Sequence, residues 1–396
     1  MSEKAVILSA CRTAGGKFGG QFSKLEATDL GGVVLKEALA RSGVEAADVS
    51  EAIMGNGWQA GVGANPARVA VFKAGIDMRV PAFSVNIRCG SGLRAVMLAA
   101  DRIRLGEAKA MLAGGMESAS NAPYILKDAR WGFRMGERRA LDVLHADGFL
   151  CPISGKLMGE ITDSGVAREF SISRAEQDEF AYRSHMKAAS AIEKGCFKKE
   201  IVPVVIRDKR KGDIACDKDE TPRGDTTVES LGKLPAIFAR EGGTITAGSS
   251  SALCDAASAL VLADSQWAKA SGLLPVAEIV SYSITSLDAD HFPIAPVTSM
   301  KNALSAAGKT LDDMDRIELN EAFAAQVIAC HRLLPFDMEK LNVCGGAIAL
   351  GHPIGATGAK ILTTLLYSLQ RDKKEWGMAS ACIGGGQGVA MVVRML

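Results

Sequence analysis

The chain has 396 residues, of which 48% are hydrophobic and only 5% aromatic, with 42 glycines. That length suggests two or three domains or one large composite, and the apolar share suffices for a substantial core. Lys and Arg total 46 against 45 Asp and Glu, a formal net charge of +1, so no strong field favours nucleic acid or an anionic membrane.

In chain order, Ala5 to Ser9 reads as a short buried strand, with no charged-then-apolar leader pattern before it. Thr28 to Arg41 reads as a helix. Thr28 or Asp29 can cap it, Leu30, Val33, Val34, Ala38 and Leu39 line one side, and Gly43 stops it. Asp48-Val49 and an apolar stretch through Ile53 to Asn56 follow. Phe83 to Ile87 is a strand candidate that leads into Cys89-Gly90-Ser91-Gly92. The helix after it carries Leu93, Val96, Met97, Ala100 and Ile103 on one face. Met111 to Gly115 is an apolar run ending in glycines.

Residues 121–247 are more polar and irregular. They hold a helix from Ser173 to Glu193 and a charged loop from Arg207 to Thr227. Within that loop the basic cluster Arg207 to Lys211, with Asp213, Asp217 and Asp219 after it, reads as solvated.

Beyond this middle the opening phrases return. Thr298 can cap a helix carrying Met300, Ala303, Leu304 and Ala307, stopped by Gly308; Asp313-Met314, Ile317, Leu319 and Asn320 follow. Gly351-His352-Pro353-Ile354-Gly355 leads into a helix with Ile361, Leu362, Leu365, Leu366 and Leu369, and Met378 to Gly386 resembles Met111 to Gly115. Two similar βα arrays thus flank a different middle. No apolar stretch is long enough to span a bilayer. The nine cysteines are scattered, odd in number and lack any CxxC pair. That argues against zinc or a disulfide framework and suits a reduced, cytoplasmic compartment.

Three glycine-rich segments carry candidate chemistry. Cys89 sits between a strand and a helix, where free N–H groups and the helix dipole favour thiolate; an inert core thiol is the plain alternative. His352 lies in the glycine-dense run Asn342 to Gly358, where an imidazole could take a thiol proton and donate to an oxyanion. A packing role is the alternative there. Cys382 precedes Ile383-Gly384-Gly385-Gly386, whose freed N–H groups suit an oxyanion, although a tight turn beside a bystander thiol fits too. Asn320, in Asn320-Glu321-Ala322-Phe323-Ala324-Ala325-Gln326, is either a helix cap or an active-site amide.

Together these four segments, with Arg12-Thr13 and Gly114-Gly115-Met116-Glu117-Ser118, closely resemble the thiolase family, and the agreement runs nearly end to end. The resemblance implies an α/β fold, a five-layer αβαβα core from two similar halves with an inserted loop domain. The halves would be residues 1–120, completed by about 248–275, and residues 276–396; the loop domain would be 121–247. It implies acyl transfer between coenzyme A thioesters, by thiolysis of 3-ketoacyl-CoA or the reverse condensation of acetyl-CoA. Coenzyme A is then a substrate, no other cofactor or metal is needed, and a homodimer or homotetramer is expected.

By the same resemblance Cys89 is the acyl-accepting nucleophile, His352 activates it, and Cys382 moves the α-carbon proton. Asn320 positions a water that forms one oxyanion site with His352, and the N–H groups of Cys89 and Gly384 form the other. Ser251 meets the pantetheine arm, while Leu157, Met158, Ala322 and Phe323 contact substrate. Leu157 replaces the His that many acetoacetyl-CoA-directed members carry before Met, which leads us to expect tolerance of a medium-length acyl chain. Cys344, Ser249, Ala252 and Ala256 also depart from common family residues without touching this chemistry. The rival functions are a decarboxylating ketoacyl synthase of the same superfamily, which needs no second cysteine, and a non-catalytic acyl-CoA-binding subunit.

Overall fold

The computed structural model describes residues 4–208, 212–239 and 241–396. Its first half holds the strands β1 (Ala5–Arg12), β2 (Val49–Gly55), β3 (Ala82–Val85), β4 (Ala110–Glu117) and β5 (Cys254–Asp264). They lie in the order β3-β2-β4-β5-β1. β2 runs parallel to β3 and β4, while β5 runs antiparallel to both β4 and β1.

The second half repeats this plan with β6 (Ala277–Ser286), β7 (Arg316–Leu319), β8 (Trp376–Ile383) and β9 (Gln387–Met395), ordered β7-β8-β9-β6. β7 is parallel to β8, and β9 is antiparallel to β8 and β6. Leu341, bridging Ile317 in parallel, stands where β3 stands in the first half. The two sheets meet edge to edge through a short antiparallel pairing of Val6 and Ile7 with Glu278 and Ala277.

Helices fill the layers between and outside. α1 (Ala27–Ser42) and α2 (Pro66–Lys73) cover the first sheet. α3 (Ser91–Arg104) and α7 (Thr357–Asp372) lie together between the sheets. α5 (Ala295–Ala307) and α6 (Ala324–Leu333) cover the second sheet. β1, β4 and β5 are buried along their whole length and read as largely apolar runs because both faces are covered, whereas β6 is part-exposed along much of its length. Along β4, Met111 and Ala113 face the middle layer, whereas Ala110, Leu112 and Met116 face α1, the two-residue period of a pleated strand. Leu362, Leu365 and Leu369 of α7 are fully buried against α3 and both sheets. Each contributes about 1.5–3 kcal/mol by leaving water.

The helix between these halves, α4 (Arg174–Glu193), begins at the expected Ser173. Ser173 Oγ accepts from Glu176 N at 3.2 Å, and the Glu176 carboxylate accepts from Ser173 N at 2.8 Å.

Several expected boundaries shift. β1 runs on to Arg12, and Ile87 lies beyond β3. α1 starts one residue before Thr28: Glu26 is the N-cap, and Asp29 reaches back to its N–H at 2.9 Å. The Thr28 hydroxyl is instead used by Lys73. α5 starts at Ala295, since Pro296 suits a first turn that needs no N–H, so Thr298 lies inside the helix. Gly43 and Gly308 do end their helices, both with left-handed backbone.

The expected charged loop opens with a hairpin of Val204–Asp208 against Gly212–Cys216, held by the burial of Val204 and Cys216. Residues 209–211 of its basic cluster lie outside the described residues. Asp219 is buried rather than solvated, because the fully buried Arg12 pairs with it at 2.8 Å and with Glu200 at 2.6 Å. Among the described residues no helix is long and apolar enough to cross a membrane.

Candidate active site

Cys89 occupies a single 3₁₀ turn, Arg88–Gly90, that feeds into α3. The Ser91 hydroxyl pins that turn, accepting from Ile87 N at 2.9 Å and donating to Arg88 O at 2.6 Å. Gly92 lets α3 touch α7: a Cβ there would stand 2.8 Å from Ala359 N. This close approach brings the Cys89 turn of one half against the His352 turn of the other.

The His352 Nε2 lies 3.1 Å from Cys89 Sγ, and its Nδ1 lies 2.6 Å from Thr357 Oγ1. The Thr357 hydroxyl donates its proton to Pro353 O at 2.9 Å. It can therefore only accept from His352, so Nδ1 carries the proton and Nε2 is left to accept from the Cys89 thiol. Asn320 follows β7, with its N–H on Ser380 O at 2.9 Å. Its Nδ2 is 3.5 Å from His352 Nε2, and its buried Oδ1 has no partner among the described residues. The cap reading of Asn320 fails, because α6 begins only at Ala324, after Phe323.

Cys382 ends β8 one residue before the strand's last position, buried at the same cavity as Cys89. The backbone N–H groups of Gly384 and of Cys89 itself lie near the Cys89 sulfur and favour its thiolate. Burial pushes the Cys89 thiol up to about 11, against the downward pull of Arg88 and these two N–H groups. Burial, aided by the Lys360 ammonium, pushes His352 down to about 3. Burial, then the neighbouring Cys89 and Cys330, hold Cys382 well above the ordinary thiol range. The resting site is thus a set of neutral groups, with an uncharged imidazole ready to act as a base.

A cavity of about 60 Å³ joins them. Cys89, His352, Cys382, Gly384, Met158, Ser251, Ala322 and Phe323 all line it, as do Arg88, Gly148, Phe149, Phe292 and Ile354. Ser251 is placed by its N–H on Ala322 O at 3.0 Å. Leu157 is not in the wall. It precedes the short helix Met158–Glu160, half-buried and bridged to Leu150, and Met158 takes the inward position. Met158 forms the cavity wall at this point, and the expected tolerance of a medium-length acyl chain is a matter for a chain-length series of 3-ketoacyl-CoA substrates. Thr357 carried a readable signal, a hydroxyl five residues after the histidine at a helix start. Phe149 and Phe292 arrive from remote segments and carried none.

Family sequence profiles agree with this geometry. The thiolase N-terminal domain matches residues 5–266, and the thiolase C-terminal domain matches residues 273–395. The chain belongs to the thiolase family. It is similar to the acetyl-CoA acetyltransferase of Escherichia coli (strain K12), at 48% identity over 395 residues and 100% of each chain. The acetyl-CoA acetyltransferase of Cupriavidus necator is also 48% identical, over 98% of each chain. The crystal structure of the Bacillus anthracis acetyl-CoA acetyltransferase superposes with a TM-score of 0.97 at 41% identity, covering 100% of this chain and 99% of that one.

Proposed function

We propose that this thiolase is an acetyl-CoA C-acetyltransferase that joins two acetyl-CoA molecules, or cleaves acetoacetyl-CoA with coenzyme A, through an acyl group on Cys89. The observation that carries the reading is the 3.1 Å contact between Cys89 Sγ and His352 Nε2, with Cys382 on the same small cavity.

In the condensing direction His352 Nε2 takes the Cys89 proton as the sulfur attacks the first thioester carbonyl. The carbonyl oxygen, gaining charge, receives the N–H groups of Cys89 and Gly384. The coenzyme A sulfur leaves with the Cys382 proton, so an imidazolium and a Cys382 thiolate remain. That thiolate removes the α-proton of the second acetyl-CoA. The enolate oxygen is met by His352 Nε2–H and by a water held at Asn320. The enolate carbon attacks the acyl carbon, and the Cys89 sulfur departs with the His352 proton. Each group returns to its starting state, and thiolysis is the same sequence reversed. These steps use side chains, backbone N–H groups, the water at Asn320 and the coenzyme A substrates.

Cys382 in the cavity wall favours this reading over a decarboxylating synthase, which forms its carbanion by loss of CO2 and needs no base at the α-carbon. We read residues 121–247 as a loop domain over the site, contributing Gly148, Phe149 and Met158. Residues 1–120 with 248–275 would form the first half, and 276–396 the second. Ser251 is suited to the pantetheine arm. A dimer or tetramer would cover the exposed Tyr124, Leu126, Trp131 and Met135, and the nine free cysteines suit a reducing cytoplasm. The test of function is incubation with acetyl-CoA, proteolysis and mass spectrometry, alongside thiolysis of acetoacetyl-CoA. An acetyl adduct on the Cys89 peptide and coenzyme A-dependent cleavage are expected. An adduct found only on other cysteines would refute the assignment.

A further inference from the structure

Glu117 closes β4 and is fully buried, yet the reaction steps above make no use of it. Its carboxylate accepts four hydrogen bonds. Oε2 receives Gly57 N at 2.8 Å and Gly355 N at 2.7 Å. Oε1 receives Asn56 Nδ2 at 2.7 Å and Trp58 N at 3.2 Å. Three donors follow β2 in the first half. The fourth, Gly355, lies between His352 and Thr357, in the turn that carries the imidazole and its hydroxyl partner.

The backbones here are already in contact, since a Cβ on Gly115 would stand 2.2 Å from Gly355 O. Apolar packing alone could close such a joint. A buried carboxylate is costly unless its hydrogen bonds are made, so this one implies a demand for position. An ionised carboxylate accepts only, which matches four converging donors.

We propose that Glu117 is a positioning residue: by holding Gly355 N–H, it fixes the His352 turn of one half at hydrogen-bonding distance from Cys89 of the other. The proposal rests on His352 acting as the base for Cys89. Glu117 touches neither reacting atom and acts through Gly355. The glutamate of the Gly-Gly-Met-Glu segment thereby gains a mechanistic task, the registration of two half-sites that lie 263 residues apart in sequence.

The test is Glu117→Gln in the full chain, with Asn56→Ala as its control. Glutamine keeps the size, but its amide N–H groups must face two of the four donors in either orientation. Asn56→Ala removes one donor to the same carboxylate and leaves the Gly355 bond intact. The readouts are kcat, KM, the rate of Cys89 alkylation by iodoacetamide, and Tm. Glu117→Gln should lower kcat and alkylation by a common factor of roughly tenfold to a hundredfold, the size expected of a misplaced catalytic group. KM should stay within about threefold of wild type. Asn56→Ala should lower Tm while keeping kcat. Retained kcat in folded Glu117→Gln overturns the proposal. So does a parallel loss of kcat and Tm in both variants. Should the glutamine variant not fold, Glu117→Asp, which keeps the charge but is too short to span both sides, takes its place, with wild-type kcat overturning the idea. Wild-type enzyme that forms no Cys89 adduct would instead sink the functional reading itself.

Discussion

Replacing Thr357 with Val tests how the imidazole is held. The side chain is 1% exposed, and Val keeps its shape while deleting the hydroxyl that accepts from His352 Nδ1 at 2.6 Å. With no acceptor, a proton on Nδ1 becomes a buried unsatisfied donor, at a cost of about 1–3 kcal/mol. The ring can escape that cost by moving its proton to Nε2. It then can no longer accept from the Cys89 thiol. The competent tautomer is disfavoured by the same 1–3 kcal/mol, which corresponds to roughly a five- to 150-fold loss of rate. Steady-state thiolysis of acetoacetyl-CoA should show this loss in kcat, with KM changed by about twofold or less. Thr357→Ser, which retains the oxygen, should recover most of it. Near-normal kcat in folded Thr357→Val, or equal damage in the Ser and Val variants, would refute the tautomer argument.

Three further outcomes follow from the same geometry. The cavity is small, about 60 Å³, with Met158, Phe149 and Phe292 in its wall, so kcat/KM should fall steeply from acetoacetyl-CoA to 3-oxohexanoyl-CoA. Met158→Ala should restore part of it, and a flat chain-length series in both proteins would contradict the small cavity. His352, lowered from 6.5 to about 3, binds its proton more readily in the unfolded chain. Its contribution is therefore complete above pH 6.5 and shrinks as pH falls toward 3. Between pH 6.5 and 5 the wild type should lose about 1.5 kcal/mol more than His352→Gln; parallel stability curves in chemical denaturation would count against a buried neutral imidazole. Arg12→Ala strands the buried Glu200 and Asp219 and should destabilise the fold by about 3–5 kcal/mol, read from the denaturation midpoint. A change under 1 kcal/mol would show that the network is not buried as described.

The sequence was most informative where its demands were local. Cys89-Gly90-Ser91-Gly92 and Gly351-His352-Pro353 could be read because backbone approach and a helix start require those residue types within a few positions. The apolar runs of β4 and β8 were legible because a strand buried on both faces has no polar positions to dilute it. Asp219 was not legible, since its burial depends on Arg12, 207 residues away. Thr298 has a cap's chemistry, but Pro296, two residues earlier, already sits in the first turn of α5 and sets the earlier start. Leu157 and Met158 are adjacent in sequence, and only the direction of the short helix decides which of them faces the cavity. Phe149 and Phe292 reach the site through tertiary packing, which no local pattern encodes.

The account stands or falls on the division of labour between the two active-site cysteines. In Cys382→Ala the nucleophile, His352 and both oxyanion N–H groups remain. In Cys89→Ala the sulfur that carries the acyl group is gone. The direct measurement is acylation by acetyl-CoA, followed by mass spectrometry, together with exchange of the acetyl α-protons in deuterated solvent, in both variants. Cys382→Ala should form the acetyl-enzyme and fail to exchange, and Cys89→Ala should show no adduct. Wild-type exchange in folded Cys382→Ala, or a stable adduct in Cys89→Ala, would contradict it.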